Sequence, residues 1–126
     1  MAAKEREINL PSLHYRPDVA SFISGFIKDP MNIGLQIRSL NLNNNSLGDT
    51  GLSILAHQLL PFTTTLVCLK LQYNHITSNG AIQWFECMRC NHSVNELDIG
   101  SQVGTSPSQN KIGPAGAKAL AKLIST

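Results

Sequence analysis

Two hydrophobic periods alternate along the chain. Over residues 37–43, Leu40 and Leu42 alternate with Ser39, Asn41 and Asn43, the two-residue period of a strand that buries one face. Beyond residue 50 the spacing lengthens to that of a helix, with Leu52, Leu55, Ala56 and Leu59 on one side. The same switch returns twice, ahead of a helix with Ala81, Trp84, Phe85 and Met88 on one face and of another with Ala117, Leu120, Ala121 and Ile124 on one face. An earlier helix is predicted over Asp18–Lys28, with Val19, Phe22, Ile23, Phe26 and Ile27 on a single face and Asp29-Pro30 ending it. Ile8-Asn-Leu10 reads as a short strand before it. Strand and helix therefore alternate throughout, which predicts an α/β fold.

The alternation is a true repeat. Ile37-Arg-Ser-Leu40-Asn-Leu42-Asn-Asn-Asn45-Ser-Leu47 returns as Leu66-Val-Cys-Leu69-Lys-Leu71-Gln-Tyr-Asn74-His-Ile76, each matched position 29 residues later, and Gly51 returns as Gly80. A third copy opens 28 residues on with Val94-Asn-Glu-Leu97-Asp-Ile99 and resumes at Asn110-Lys-Ile112 and Gly116 after an insertion near residues 102–109. Asp49 and Ser78 hold the helix-start position at which Pro114 stands in the third copy, where a missing N–H costs nothing. A shift of 32 carries Ile8 and Leu10 onto Leu40 and Leu42, and Ile23 and Ile27 onto Leu55 and Leu59. The expected organisation is one domain over residues 1–126: a degenerate capping repeat at 7–36, then repeats at 37–65, 66–93 and 94–126.

Leu-x-x-Leu-x-Leu-x-x-Asn-x-Leu followed by a Gly-bearing helix resembles the leucine-rich repeats. A repeat length of 28 to 29 with a full helix is similar to their ribonuclease-inhibitor-like subclass. The resemblance implies a short solenoid, with parallel strands on the concave side, helices on the convex side, and a protein-binding concave face. It also implies that Asn45, Asn74 and Asn110 form a structural asparagine ladder. The physical need is plain, because a buried turn has unpaired N–H and C=O groups and an amide supplies both donor and acceptor. The insertion ahead of Asn110 departs from the family's pattern, and no polar terminal cap follows the last helix. The uncovered apolar end predicts self-association through the C-terminal repeat; a short isoform and a fragment are the other readings of it.

Composition narrows the function. The chain has 126 residues, which excludes a multidomain enzyme, and its net charge of +2 gives no dense basic face for nucleic acid or anionic membranes. No signal peptide or membrane span is legible, and three cysteines suit a reducing compartment, so a cytoplasmic location is expected. The sequons at Asn44-Asn45-Ser46 and Asn91-His92-Ser93 read as chance matches in such a compartment. Charged residues are only 14%, and 11 asparagines outnumber the 10 Lys and Arg, so amides carry much of the polar work.

Cys87-Met-Arg-Cys90-Asn-His92 is the one string that invites metal or redox chemistry. It falls near a helix C-terminus, where the dipole disfavours a thiolate, and no second ligand pair has matching spacing, so no metal and no cofactor is expected. Gly48-Asp-Thr-Gly51 looks like an aspartic-protease fragment, yet it recurs in register as Thr77-Ser-Asn-Gly80 at a helix start. No phosphate loop or nucleophile elbow appears. Lys111, Lys118 and Lys122 read as a solvated convex face. What remains is the outward row of the strands: Asn41, Asn43 and Asn44, then Lys70, Gln72 and Tyr73, then Glu96 and Asp98, with Tyr73 as anchor. The expected function is a non-enzymatic protein-interaction module with another protein as partner. The alternatives are a regulator of a GTPase or other enzyme and a structural segment of a cytoskeletal or axonemal assembly.

Overall fold

The computed structural model describes residues 6–10, 18–29, 37–100 and 110–124. Strand and helix alternate as β1 (Arg6–Asn9), α1 (Asp18–Lys28), β2 (Ile37–Asn41), α2 (Gly48–Gln58), β3 (Cys68–Lys70), α3 (Ser78–Met88), β4 (Glu96–Asp98) and α4 (Gly113–Ile124). The four strands form one parallel sheet in the order β1-β2-β3-β4, and each helix packs on the next along the chain. This is a leucine-rich-repeat solenoid of α/β type. The inserted residues 102–109, with Ser106-Pro107, lie outside the described residues, as do Pro30 and Ser101.

Sheet register follows the sequence repeat. Ser39 pairs with Cys68 and Cys68 with Glu96, shifts of 29 and 28 residues, while Ile8 pairs with Leu40 across the shift of 32. Parallel pairing at a fixed shift stacks like upon like. Leu40, Leu42, Leu47, Leu69, Leu71 and Ile76 all reach 0% exposure between the sheet and the helices. Each such leucine or isoleucine gains roughly 1.5–3 kcal/mol from leaving water, and this lets a short repeat hold its neighbour.

α2 and α4 both start at a glycine. Gly48 and Gly113 have φ of +64° and +67°, a left-handed conformation that a Cβ would strain. Pro114 is the second residue of α4, one position inside the helix start that the sequence predicts for it and level with Asp49 in α2. Asp49, one residue into α2, accepts hydrogen bonds from the backbone N–H of Thr77 (2.8 Å) and from its hydroxyl, joining two successive helix starts. Gly80 is required beside them, since a Cβ there would fall 2.1 Å from the Asp49 carboxylate.

The apolar stripe of α4 is placed differently from those of α2 and α3. In α4 the residues turned toward the array are Gly116, which is buried, with Ala119 and Leu123 half-buried, whereas Ala117, Leu120, Ala121 and Ile124 are exposed. In α2 and α3 the matching positions are buried or, at Met88, half-buried, and a further helix packs against each of these helices. Among the described residues no element lies on that side of α4.

Candidate functional site

The strand face is held in place by the asparagines at the end of each strand. Asn74 donates from Nδ2 to the carbonyls of Leu42 (2.9 Å) and Gln72 (3.1 Å), and its Oδ1 accepts from the N–H of Asn45 (2.9 Å) and Leu47 (3.3 Å). Asn110 repeats the arrangement one step on, donating to Leu71 and Ile99 and accepting from Asn74 and Ile76, all within 3.0 Å. Asn45 reaches back in the same way to the carbonyl of Leu10 (2.6 Å). So the insertion has not displaced Asn110, and Asn74 and Asn110 each close the turn of the preceding repeat with four bonds, Asn74 fully buried and Asn110 half-buried.

Left-handed residues bracket the ladder. Asn44 and Ser46 flank Asn45 at φ of 59° and 54°, and Tyr73 and His75 flank Asn74 at 54° and 58°. This pair of reversals turns the ladder side chain inward. It also sets Asn44 and Tyr73 in the turn beyond the strand rather than on the strand itself. Asparagine tolerates this conformation, but for tyrosine it costs on the order of 1 kcal/mol.

The register brings the remaining candidates together in two columns. One runs Glu7, Ser39, Cys68, Glu96; the other runs Asn9, Asn41, Lys70, Asp98. Glu7, Asn9, Glu96 and Asp98 are exposed and Lys70 half-buried, so the face has three carboxylates around one ammonium. Gln72 donates from Nε2 to Asp98 (2.7 Å), tying two repeats across the face. Asn43 turns out to be scaffold, because its Oδ1 accepts the N–H of Gln72 (2.8 Å), while Asn41 Oδ1 accepts the N–H of Asn43 (3.0 Å). Sequence reasoning missed Glu7 and Asn9, although the shift of 32 already aligns them with Ser39 and Asn41.

A second amide closure at the opposite end of the sheet also escaped the sequence. Asn91 donates to the carbonyl of Leu60 (2.8 Å) and accepts from the N–H of Ser93 (3.0 Å) and Val94 (2.8 Å). Thr63 holds the same place one repeat earlier, accepting from Leu66 N–H (3.2 Å). The two residues share a function but no letter, so a comparison of identities passes over them.

Cys68, Cys87 and Cys90 are free thiols. Burial pushes the Cys87 thiol above its ordinary range, and the nearby Cys90 and Glu86 add to the rise. That is the reverse of an activated nucleophile or a metal-ready thiolate. Among the described residues no three His, Cys, Asp or Glu side chains group as a metal site, and no helix is long and apolar enough to cross a membrane. Exposed Cys90 should be alkylated by iodoacetamide several-fold faster than Cys87 at pH 8, the gap closing as pH rises through the Cys87 value. Peptide mass spectrometry showing Cys87 as the faster site would contradict this assignment.

Residues 37–56, 63–82 and 108–121 match the family described as Leucine Rich repeat. The chain is 30% identical over 94 residues to a Rho GTPase-activating protein of Dictyostelium discoideum, covering 75% of this chain and 8% of that protein. It is 33% identical over 84 residues to the ribonuclease inhibitor of Sus scrofa, covering 67% of this chain and 17% of the inhibitor. The chain thus spans a small part of the length of both relatives. The parallel register, the amide ladder and these matches agree: the chain belongs to the leucine-rich repeat proteins of the ribonuclease-inhibitor-like kind.

Proposed function

We propose that the strand face is a preformed docking surface for another protein, and that the chain works without chemistry of its own. Leucine-rich repeats are protein-interaction modules, and the observation that carries the finer reading is the pair of polar columns. Their side chains lie about 4.8 Å apart along the sheet on a backbone that the ladder has already fixed. A rigid face gives up little conformational entropy on binding, so modest contacts yield useful affinity. Lys70, Gln72, Glu96 and Asp98 supply the charged and amide contacts. Tyr73 supports the same reading, since an aromatic residue sits at a strained left-handed position where the preceding repeat has Asn44. A cytoplasmic setting is consistent with three free thiols.

The double variant Lys70→Gln, Tyr73→Asn separates binding from folding, since it places no like charge opposite Asp98. It should lose partner capture from the native cell while melting within a few degrees of the parent, because asparagine relieves the strain at residue 73. Capture that survives both changes would sink the proposal. A second reading, in which the bound protein is a GTPase or its regulator, draws support from the similarity to the Rho GTPase-activating protein. It predicts nucleotide-dependent retention of a small GTPase on the immobilised chain, abolished by the same double variant.

A further inference from the structure

We infer that Cys87 and Cys90 form a reversible redox site, a dithiol that a small-molecule disulfide converts to an intrachain disulfide while the repeat stays folded. The backbone at the end of α3 sets the geometry. Arg89, Cys90 and Asn91 donate their N–H groups to the carbonyls of Glu86 (3.3 Å), Cys87 (3.1 Å) and Met88 (3.0 Å), three successive bonds between residues three apart. Arg89, lying between the two cysteines, has φ of −60° and ψ of −26°, the values of a 3₁₀ turn. The helix thus tightens as it ends, and in a 3₁₀ turn side chains three apart eclipse instead of fanning out. A rise of about 2 Å per residue sets the two Cα atoms roughly 6 Å apart, inside the window of about 4.4–6.8 Å that a disulfide spans. Closing the bond needs rotation of two side chains rather than a shift of the chain.

The two thiols differ in access, and this fixes the order of events. Cys90 is exposed, whereas Cys87 is half-buried against the core. The Cys90 thiolate attacks one sulfur of glutathione disulfide, forming a mixed disulfide and releasing one glutathione thiolate. The Cys87 thiolate then attacks the Cys90 sulfur, and the second glutathione thiolate leaves. The protein gives up two protons and two electrons as its S–S bond forms, and the broken glutathione S–S bond takes them up as two thiols. Burial, with Cys90 and Glu86 nearby, holds the Cys87 thiol above its ordinary range, so the second step is the slower one. Cys68 stands apart from the pair, on β3 with Ser39 and Glu96 as its register partners.

The bond would form where α3 hands the chain on to β4. Asn91, next in the chain, anchors this turn to the preceding repeat through the carbonyl of Leu60 and accepts the N–H of Ser93 and Val94. A disulfide across residues 87–90 pins the helix end beside that closure. In a reducing compartment such a bond is transient, present only while oxidant is in excess.

The intact, reduced chain, equilibrated without oxygen in mixtures of reduced and oxidised glutathione, should yield a Cys87–Cys90 disulfide on acid quenching and peptide mass spectrometry. Cys68 should remain free for alkylation, the far-UV circular dichroism spectrum should not change, and dithiothreitol should reverse the reaction in full. Cys87→Ser should stop at the mixed disulfide on Cys90, raising its amount at least about tenfold over the parent. Cys90→Ser should leave Cys87 at least about tenfold slower to react with glutathione disulfide than Cys90 is in the parent. Thiols that stay reduced in excess glutathione disulfide, a mixed disulfide on Cys90 that persists in the parent, pairing with Cys68 in preference, or oxidation only with loss of the dichroism signal would each overturn the proposal.

Discussion

Asn74→Ala should abolish most of the folding stability, by roughly 3–6 kcal/mol, an amount comparable to the whole stability of a small domain. The side chain is 0% exposed and makes four hydrogen bonds. Its loss leaves the N–H of Asn45 and Leu47 and the carbonyl of Leu42 buried without these partners, whereas the Gln72 carbonyl still accepts from Asn44 N–H. Each orphaned group carries a desolvation penalty of about 1–3 kcal/mol. Asn74→Asp should be similarly damaging, because an oxygen would then face two carbonyl oxygens in place of a donor. Exposed Asn95, changed to Ala, should cost less than about 0.5 kcal/mol. Thermal melting by circular dichroism distinguishes the cases, and a cooperative Asn74→Ala variant melting within a few degrees of the parent would refute the structural role of the ladder.

Trp84 gives the second large effect. It fills the centre of α3's inner face at 0% exposure, in the place that Leu55 holds in the repeat before. Trp84→Ala should cost about 3–5 kcal/mol through lost burial and the cavity left behind. Trp84→Phe should be far milder, within about 1.5 kcal/mol, for a specific reason. Among the described residues the indole N–H has no hydrogen-bond partner, so removing it relieves an unsatisfied donor and offsets part of the lost volume. Chemical denaturation midpoints of the two variants test this, and a Phe variant as unstable as Ala would mean that the indole N–H is satisfied after all.

These two residues mark what can be read from the sequence alone. The ladder was legible because Asn45 and Asn74 recur as the same letter at a fixed shift, and sheet register then follows with no further information. Burial of Leu55 and Trp84 was legible from the helical period. In α4 the period shows that Ala117, Leu120, Ala121 and Ile124 share a side, while their exposure depends on whether another element lies against it. Asn43 was assigned to the surface on strand alternation, but its amide is drawn into the bond to Gln72 by a turn whose left-handed residues no period reveals. Asn91 and Thr63 close the same turn with different chemistry. The tie from Asp49 to Thr77 beside Gly80 likewise exists only once two repeats are stacked.

For the strand face itself, the division of labour is now specific. Asn43 and Asn74 hold the backbone, and on the proposed reading Lys70, Glu96 and Asp98 meet the partner. Carbodiimide labelling of carboxylates, with and without the captured partner, measures this directly, because Glu96 and Asp98 are exposed on the strand face and Glu86 is exposed on α3. Binding at the strand face predicts protection of Glu96 and Asp98 with Glu86 as reactive as in the free chain; protection of Glu86 with Glu96 and Asp98 still labelled would contradict it.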